Sequence, residues 1–182
     1  MARDGLILIR HTRPEVAPGI CYGLTDLDCA DSFADEAAAV CAALADQAGI
    51  DTIVSSPLRR CRKLAQTLAE HLGQEFEIEA DIREMDFGSW EGLPWDRIGR
   101  DALDRWAGDF MHARDHGGES VAMLAARVNA ALAAHRARPG RTLWVTHMGV
   151  IRAALAAAGV DGAWSAQVGY GAVLRWPEGA GI

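Results

Sequence analysis

The sequence lacks several features that would assign it directly to a class of protein. It has no run approaching the ~18 apolar residues of a membrane span. It also has no Cys-x-x-Cys pair, no P-loop and no His-Glu-x-x-His or similar metal-ligand spacing. Its four cysteines are therefore interpreted as free thiols. We expect neither a metal ion nor another cofactor.

Positive charge is also scarce, with 18 Lys and Arg residues against 25 Asp and Glu residues and a formal net charge of −7. This balance argues against a nucleic-acid partner or an anionic membrane surface. Residues 1–5 lack the apolar core of a signal peptide, and free thiols are typical of a reducing compartment. We therefore predict a cytoplasmic protein, and we expect one domain over residues 1–182.

Short apolar runs alternate with helical periodicity along the chain, which predicts an α/β fold. We expect a three-layer α/β/α sandwich around a mostly parallel sheet, with residues 81–118 forming a short lid-like segment. The predicted strands cover residues 5–10, 51–55, 75–79, 142–146 and 171–176. The predicted helices run from Asp31 or Ser32 to about Ala48, from Ser56-Pro57 to Leu72, within 95–111, from Glu119-Ser120 to about His135, and from the residue after His147 to Ala158.

Polar side chains stand at the ends of three predicted strands. The first strand ends on Arg10 and His11, the second leads into Arg59 and Arg60, and the third stops on His147. The carboxyl ends of parallel strands share one edge of a sheet, and helix N-termini beside them favour anions. Each residue alone is also compatible with a surface ion pair or a helix cap, but together they predict a phosphate site.

Four motifs in chain order carry a resemblance to a known family. They are Arg10-His11, Ser55-Ser56-Pro57-Leu58-Arg59-Arg60, Gly117-Gly118-Glu119-Ser120 and Val145-Thr146-His147-Met148-Gly149. The ordered set resembles the signatures of the histidine phosphatase superfamily, which has the phosphoglycerate-mutase-like fold. The resemblance spans nearly the whole chain, and it implies metal-independent hydrolysis of a phosphomonoester through a phosphohistidine intermediate.

The resemblance also implies roles for individual residues. His11 would be the nucleophile, and Arg10, Arg60 and His147 would hold the phosphoryl oxygens. Arg60 is favoured over Arg59 because the family's arginine precedes a small residue, here Cys61.

The proton donor is assigned by its place in the sequence. The family's acid precedes a stretch similar to Gly88-Ser89-Trp90-Glu91-Gly92, which selects Glu84. Asp81, Asp86 and Glu91 remain alternatives.

Further contacts are expected from the Thr12 hydroxyl to the phosphoryl group, from Met148 to the substrate and from Tyr22 to the leaving group; the alternative role of Tyr22 is to pack its loop onto the sheet. Thr12 stands where the family commonly has Gly, and Ala17 stands where it has Asn. Arg13 either adds positive charge or is solvated. The remaining histidines are expected to be solvated, and the alternative for His116 is that it reaches the mouth of the site; they are His71, His112, His116 and His135.

Other phosphatase chemistries do not fit the sequence. A thiol phosphatase needs Arg six positions after Cys, and none of the cysteines has it. An aspartyl phosphatase places Asp-x-Asp at the end of an apolar strand, whereas Asp26-Leu27-Asp28 follows a loop. His11 is therefore interpreted as a nucleophile rather than a general base.

The leaving group is only weakly indicated. A short lid favours hydrolysis over mutase activity. The loop over residues 18–26 resembles members grouped with alpha-ribazole phosphatase, so alpha-ribazole 5′-phosphate of cobalamin synthesis is the specific candidate. The alternatives are a phosphoprotein (phosphohistidine) phosphatase, a phosphoglycerate-mutase-type enzyme and a catalytically silent phosphate-binding module. A homodimer is one possible assembly, on which the sequence is silent.

Overall fold

The computed structural model describes residues 5–45, 47 and 49–177. Within them, five strands form one sheet in the order β3-β2-β4-β1-β5. The strands are β1 (Gly5–Arg10), β2 (Ile50–Ser55), β3 (Phe76–Ile78), β4 (Arg141–Thr146) and β5 (Val173–Arg175). The first four run parallel, and β5 pairs antiparallel with β1. The predicted mostly parallel sheet is confirmed.

Helices cover both faces of this sheet. They are α1 (Phe33–Leu44), α2 (Arg59–Leu72), α3 (Arg100–Gly108), α4 (Val121–Arg136) and α5 (Met148–Ala157). Successive residues of a strand point to opposite faces. Accordingly, Ile7 and Ile9 of β1 pack with α1 and α2, whereas Leu6 and Leu8 pack with α4 and α5. The predicted three-layer α/β/α sandwich is therefore confirmed.

Two predicted helices are shorter than expected. The α1 helix ends at Leu44, and the predicted end at Ala48 lies outside the described residues. The Ser32 hydroxyl donates to the carboxylate of Glu36 at 2.7 Å, so it does not cap the helix backbone. In the third helical region, residues 95–97 form a separate 3₁₀ turn, and α3 begins only at Arg100.

The predicted start of α2 at Ser56-Pro57 is wrong. The helix begins at Arg59, and Leu58 precedes it in an extended conformation without a side-chain cap. The Ser56 hydroxyl accepts the backbone N–H of Leu58 at 3.3 Å and also lies 2.7 Å from Nε2 of His147. A residue type that commonly caps helices is thus used to contact a histidine on a neighbouring strand end.

Two histidines predicted to be solvated are buried. His116 is 2% exposed and packs against Trp90, with ring centroids 4.9 Å apart. His135 is 9% exposed and packs against Trp144. Burial lowers the pKa of both imidazoles. Aromatic neighbours on other elements cover these rings, and local sequence carries no sign of such neighbours.

The segment over residues 81–118 has a small core of its own. Trp90 and Ile98 are buried there together with Cys21 from the loop after β1, and Trp95 and Trp106 pack against them. This core attaches the segment beside the carboxyl edge of the sheet. Among the described residues, no helix is long and apolar enough to cross a bilayer.

Candidate active site

The carboxyl ends of β1, β2 and β4 bring four of the predicted site residues together. The rings of His11 and His147 lie 5.1 Å apart. Arg10, His11, Arg60 and His147 are buried, with exposed fractions of 8%, 1%, 0% and 0%. The expected meeting of distant strand ends at one edge therefore occurs in the fold.

Arg60 projects into this cluster from the first turn of α2. It donates to the carbonyl oxygens of Gly23 and Thr25, at 2.8 Å each. Its NH2 group also lies 3.3 Å from Nδ1 of His147. Backbone carbonyls of the loop after β1 thus hold the guanidinium without neutralising it.

The neighbouring Arg59 points elsewhere. It forms exposed ion pairs with Asp26 and Asp28, at 3.5 and 3.0 Å. Consecutive helical residues differ by about 100° around the axis, so only one of the two arginines faces the edge of the sheet. The structure places Arg60 there and Arg59 at the surface.

Arg10 is held in a similar way on the other side of His11. Its NH1 donates to the carbonyl oxygen of Val168 at 2.5 Å, and its guanidinium stacks on Tyr170, 3.9 Å from the ring centroid. The Nε atoms of Arg10 and Arg60 are buried without a hydrogen-bond partner among the described residues. Buried donors are normally paired, so these fit a site that binds an anion.

The hydrogen bond of His11 defines its tautomer. Nδ1 lies 2.7 Å from the carbonyl oxygen of Thr12, which can only accept, so Nδ1 carries the proton. Burial lowers the pKa of His11 well below its usual range, and the charges of Arg60 and Arg10 act in the same direction. The imidazole is therefore neutral, with the lone pair of Nε2 available.

His147 is also neutral, with the opposite tautomer. An arginine can only donate, so Nδ1 of His147 accepts from Arg60 and Nε2 carries the proton towards Ser56. Burial lowers the pKa of His147 well below its usual range, and the nearby His11 and Arg60 lower it further. Two buried imidazoles thus avoid adding charge beside two buried guanidiniums.

Glu84 lies beside this cluster at the N-terminus of α5. Its Oε2 accepts the backbone N–H of Gly149 at 3.2 Å, and its Oε1 accepts that of Met85 at 3.0 Å. A Cβ atom at position 149 would overlap Oε1, so a larger residue there would displace the carboxylate from this position. The location suits a group that faces a ligand bound at the edge of the sheet.

The alternative acids are placed differently. Asp86 accepts the backbone N–H of Gly88 at 2.7 Å, and Glu91 accepts backbone N–H groups of Leu24 and Thr25. Of the four acids considered from sequence, Glu84 alone lines the cavity beside the histidines. The structure therefore favours Glu84 on position.

A cavity of about 350 Å³ opens from Arg10 and Glu84. Two phenylalanines and three tryptophans contribute to its walls: Phe87, Trp95, Trp106, Phe110 and Trp164. Tyr22 and Met148, both predicted to contact the substrate, also line it. Within the described ranges, no group of three or more His, Cys, Asp or Glu side chains is arranged to hold a metal ion.

The cavity is not lined by His11, Arg60 or His147, nor by two further candidates, Thr12 and Arg13. Thr12 is fully buried, and its hydroxyl lies 3.8 Å from the sulfur of Cys29. Arg13 is exposed and pairs with Glu36 at 3.6 Å, which agrees with the solvated alternative. Their backbones continue the loop that begins with His11.

Sequence reasoning missed Tyr170. Its hydroxyl lies 3.1 Å from that of Tyr22, and its ring lies 5.7 Å from the ring of His11. It comes from the irregular segment before β5, where no motif or periodicity marks it. Tyr22 and Tyr170 together connect two loops across the histidines.

Sequence reasoning also missed Arg127 of α4. Its Nε and NH2 groups form a bidentate ion pair with Glu119, at 2.7 and 2.8 Å. The same guanidinium donates to the carbonyl oxygens of Asp81, Arg83 and Glu84, at 2.8, 2.7 and 3.0 Å. The Gly117–Ser120 motif therefore supplies the carboxylate that fixes Arg127, which in turn fixes the backbone that carries Glu84.

Comparison with known proteins places this geometry in a family. A family model described as the histidine phosphatase superfamily (branch 1) matches residues 6–175. The chain is 34% identical over 126 residues to a glucosyl-3-phosphoglycerate phosphatase of Mycolicibacterium vanbaalenii, covering 67% of this chain and 55% of that protein. It is 32% identical over 137 residues to phosphoserine phosphatase 1 of Hydrogenobacter thermophilus, covering 73% of this chain and 64% of that protein.

A solved structure shows the same fold over a larger share of both chains. A mycobacterial glucosyl-3-phosphoglycerate phosphatase superposes with a TM-score of 0.81 at 27% identity. The superposition covers 93% of this chain and 88% of that one. The alignments with the curated relatives, by comparison, span about half to two thirds of their length.

Removal of the Arg127 guanidinium should destabilise the fold strongly. Arg127→Met leaves the Glu119 carboxylate, whose side chain is 9% exposed, without its cation. Breaking a buried ion pair on one side is expected to lower the free energy of unfolding by about 3 kcal/mol or more. Urea unfolding followed by tryptophan fluorescence measures this loss.

The matched control is Arg105→Met on α3. Arg105 pairs with Asp115 at the same 2.7 Å distance, but its side chain is 64% exposed. An exposed pair contributes less than about 1 kcal/mol. Similar losses in the two variants would contradict the structural role assigned to Arg127.

Proposed function

Since the chain belongs to the histidine phosphatase superfamily, we propose that it is a metal-independent phosphomonoester hydrolase. The observation that carries the proposal is the buried pair of neutral imidazoles between Arg10 and Arg60, next to a cavity that Arg10 and Glu84 line. Every group that phosphoryl transfer through a histidine requires is present within this cluster.

In the first step, Nε2 of His11 attacks phosphorus. A bond forms between Nε2 and phosphorus, the bond from phosphorus to the ester oxygen breaks, and the proton stays on Nδ1, hydrogen-bonded to the carbonyl oxygen of Thr12. The lowered pKa of His11 supports this role because a neutral imidazole has its lone pair free at neutral pH. In the second step, water attacks the phosphohistidine, and inorganic phosphate and neutral His11 are regenerated.

Arg10 and Arg60 stabilise the charge on the transferring phosphoryl oxygens. Their unpaired Nε–H groups are hydrogen-bond donors that already lie at the edge of the sheet, so they need little rearrangement when the phosphoryl group binds. The charge of the bound dianion favours uptake of a proton from solvent at Nδ1 of His147, in place of the hydrogen bond from Arg60. Nδ1–H then donates to a phosphoryl oxygen, while Nε2–H remains hydrogen-bonded to Ser56.

Glu84 acts as the general acid and then as the general base. In its protonated form it gives its proton to the departing alkoxide, and the resulting carboxylate accepts a proton from the attacking water. Its contact with the N-terminus of α5 and its place in the cavity support this assignment.

A small phosphorylated metabolite is the proposed substrate class. The curated relatives named above act on glucosyl-3-phosphoglycerate and phosphoserine by their names, and the cavity of about 350 Å³ suits a compact leaving group. Alpha-ribazole 5′-phosphate remains the specific candidate from sequence; aromatic walls that accept a flat ring support it. A screen of phosphorylated nucleosides, sugars, amino acids and peptides separates these candidates from a phosphoprotein phosphatase or mutase.

Replacement of His11 tests the nucleophile. We expect the purified protein to hydrolyse p-nitrophenyl phosphate in excess EDTA and His11→Ala to reduce kcat by a factor of about 10³ or more. When the reaction is quenched rapidly and without acid, a phosphohistidine should be trapped in the wild type and not in the variant.

His112→Ala is the matched control, because His112 is an exposed histidine outside the cavity. Unchanged turnover in His11→Ala would rule out the proposed nucleophile. Phosphate binding without turnover of any phosphomonoester would favour a catalytically silent module.

Replacement of Glu84 tests the proton donor. Glu84→Gln keeps the size of the side chain but removes the acid. It should therefore slow alkyl phosphates, which have poor leaving groups, by about 10²–10⁴-fold. The leaving group of p-nitrophenyl phosphate needs little protonation, so the hydrolysis of this ester should slow much less. The control is Asp81→Asn; equal losses on both ester types in Glu84→Gln would remove Glu84 as the acid.

A further inference from the structure

Arg152 is a cavity residue with no role in the steps above. It lies on α5, three positions after Gly149, and residues at this spacing share one face of a helix. The backbone N–H of Gly149 contacts Glu84. Arg152 thus lines the same cavity as Glu84, about one helical turn, roughly 5 Å, further along α5.

The guanidinium of Arg152 is held in place but forms no ion pair among the described residues. Its Nε–H donates to the carbonyl oxygen of Ala166 at 2.9 Å. Its two terminal amino groups form no hydrogen bond or ion pair with any side chain or carbonyl in the described ranges. Arg127, by contrast, places all of its nitrogens on Glu119 and on backbone carbonyls.

The surroundings of Arg152 strengthen its attraction for an anion. Burial lowers the pKa of its guanidinium; the charge of Glu84 opposes this effect, and that of Arg10 adds to it. Arg152 is thus a partly desolvated cation within electrostatic reach of both residues. Between apolar walls the effective dielectric constant is lower than in water, so a charged partner is bound more strongly there.

We propose that Arg152 binds a carboxylate carried by the leaving group of the substrate. The phosphoryl group occupies the edge between Arg10 and Arg60, so the anion at Arg152 must belong to the alcohol. A guanidinium with two free amino groups binds a carboxylate through two parallel hydrogen bonds. This inference rests on the proposed hydrolase function and narrows its substrate class.

The substrate class is then a phosphorylated hydroxy acid with an apolar body. The aromatic walls, among them Trp106 and Phe110, cover the body, while Arg152 orients its carboxylate. Alpha-ribazole 5′-phosphate has no anionic group besides its phosphate, so the inference disfavours it.

Matched pairs of aryl phosphates test the inference. The ortho, meta and para isomers of carboxyphenyl phosphate are compared with the corresponding carbamoylphenyl phosphates, which have the same shape without the charge. For at least one isomer, the wild type should prefer the acid over the amide in kcat/KM by about tenfold or more, equivalent to about 1.4 kcal/mol. The preference should appear mainly in KM, because the carboxylate is bound equally in the ground and transition states.

Substitution of Arg152 assigns the preference to this residue. Arg152→Gln should bring the ratio of kcat/KM for the acid to kcat/KM for the amide close to unity. Arg152→Lys should retain part of the preference for the acid. Arg62→Gln, which removes an exposed arginine of α2, is the matched control and should keep the wild-type ratio. Melting temperatures verify that the variants are folded.

Several results would overturn the inference. An equal loss on acids and amides in Arg152→Gln would show that Arg152 acts on the phosphoryl group or on the fold. The absence of acid preference for every isomer in the wild type would also overturn it, even if the glutamine variant fails to fold. Failure of the wild type to hydrolyse phenyl phosphate would instead reject the hydrolase proposal, and this inference with it.

Discussion

The structure depends on how two guanidinium groups are buried without carboxylates. Arg10 and Arg60 are held by carbonyl oxygens of Val168, Gly23 and Thr25. A buried cation is costly unless it is hydrogen-bonded, and carbonyls meet that need without cancelling its charge. The loops after β1 and before β5 therefore take the paths that deliver these oxygens. The positive charge that remains is available for a phosphoryl group.

The same constraint explains the state of the histidines. Burial disfavours a charged imidazole, and the positive charges of Arg10 and Arg60 add to this effect, so His11 and His147 are buried in their neutral forms. Neutrality leaves His11 with a lone pair, and it leaves His147 able to take a proton when an anion arrives. A structural requirement of the buried site thus coincides with the proposed chemical requirement of the reaction.

The position of the acid has a separate origin. Glu84 belongs to an irregular segment, and its main chain is fixed by Arg127, which is fixed in turn by Glu119. Its carboxylate meets the N-terminus of α5, the helix that also carries Arg152. The chemistry at the edge and the selection of the leaving group are therefore connected through one helix, although they use different side chains.

Sequence alone determined the sheet, its layers and the four residues at its edge. Apolar runs mark buried strands, and the residues that end parallel strands must meet at one edge. The prediction from sequence put the start of α2 at the wrong residue and expected the buried His116 to be solvated. The sequence also contained no sign of the roles of Tyr170, Arg127 or Arg152. These depend on contacts between distant segments, such as Arg10 with Val168, 158 residues apart. Only tertiary packing decides them, because loop paths and aromatic neighbours leave no periodic trace in the chain.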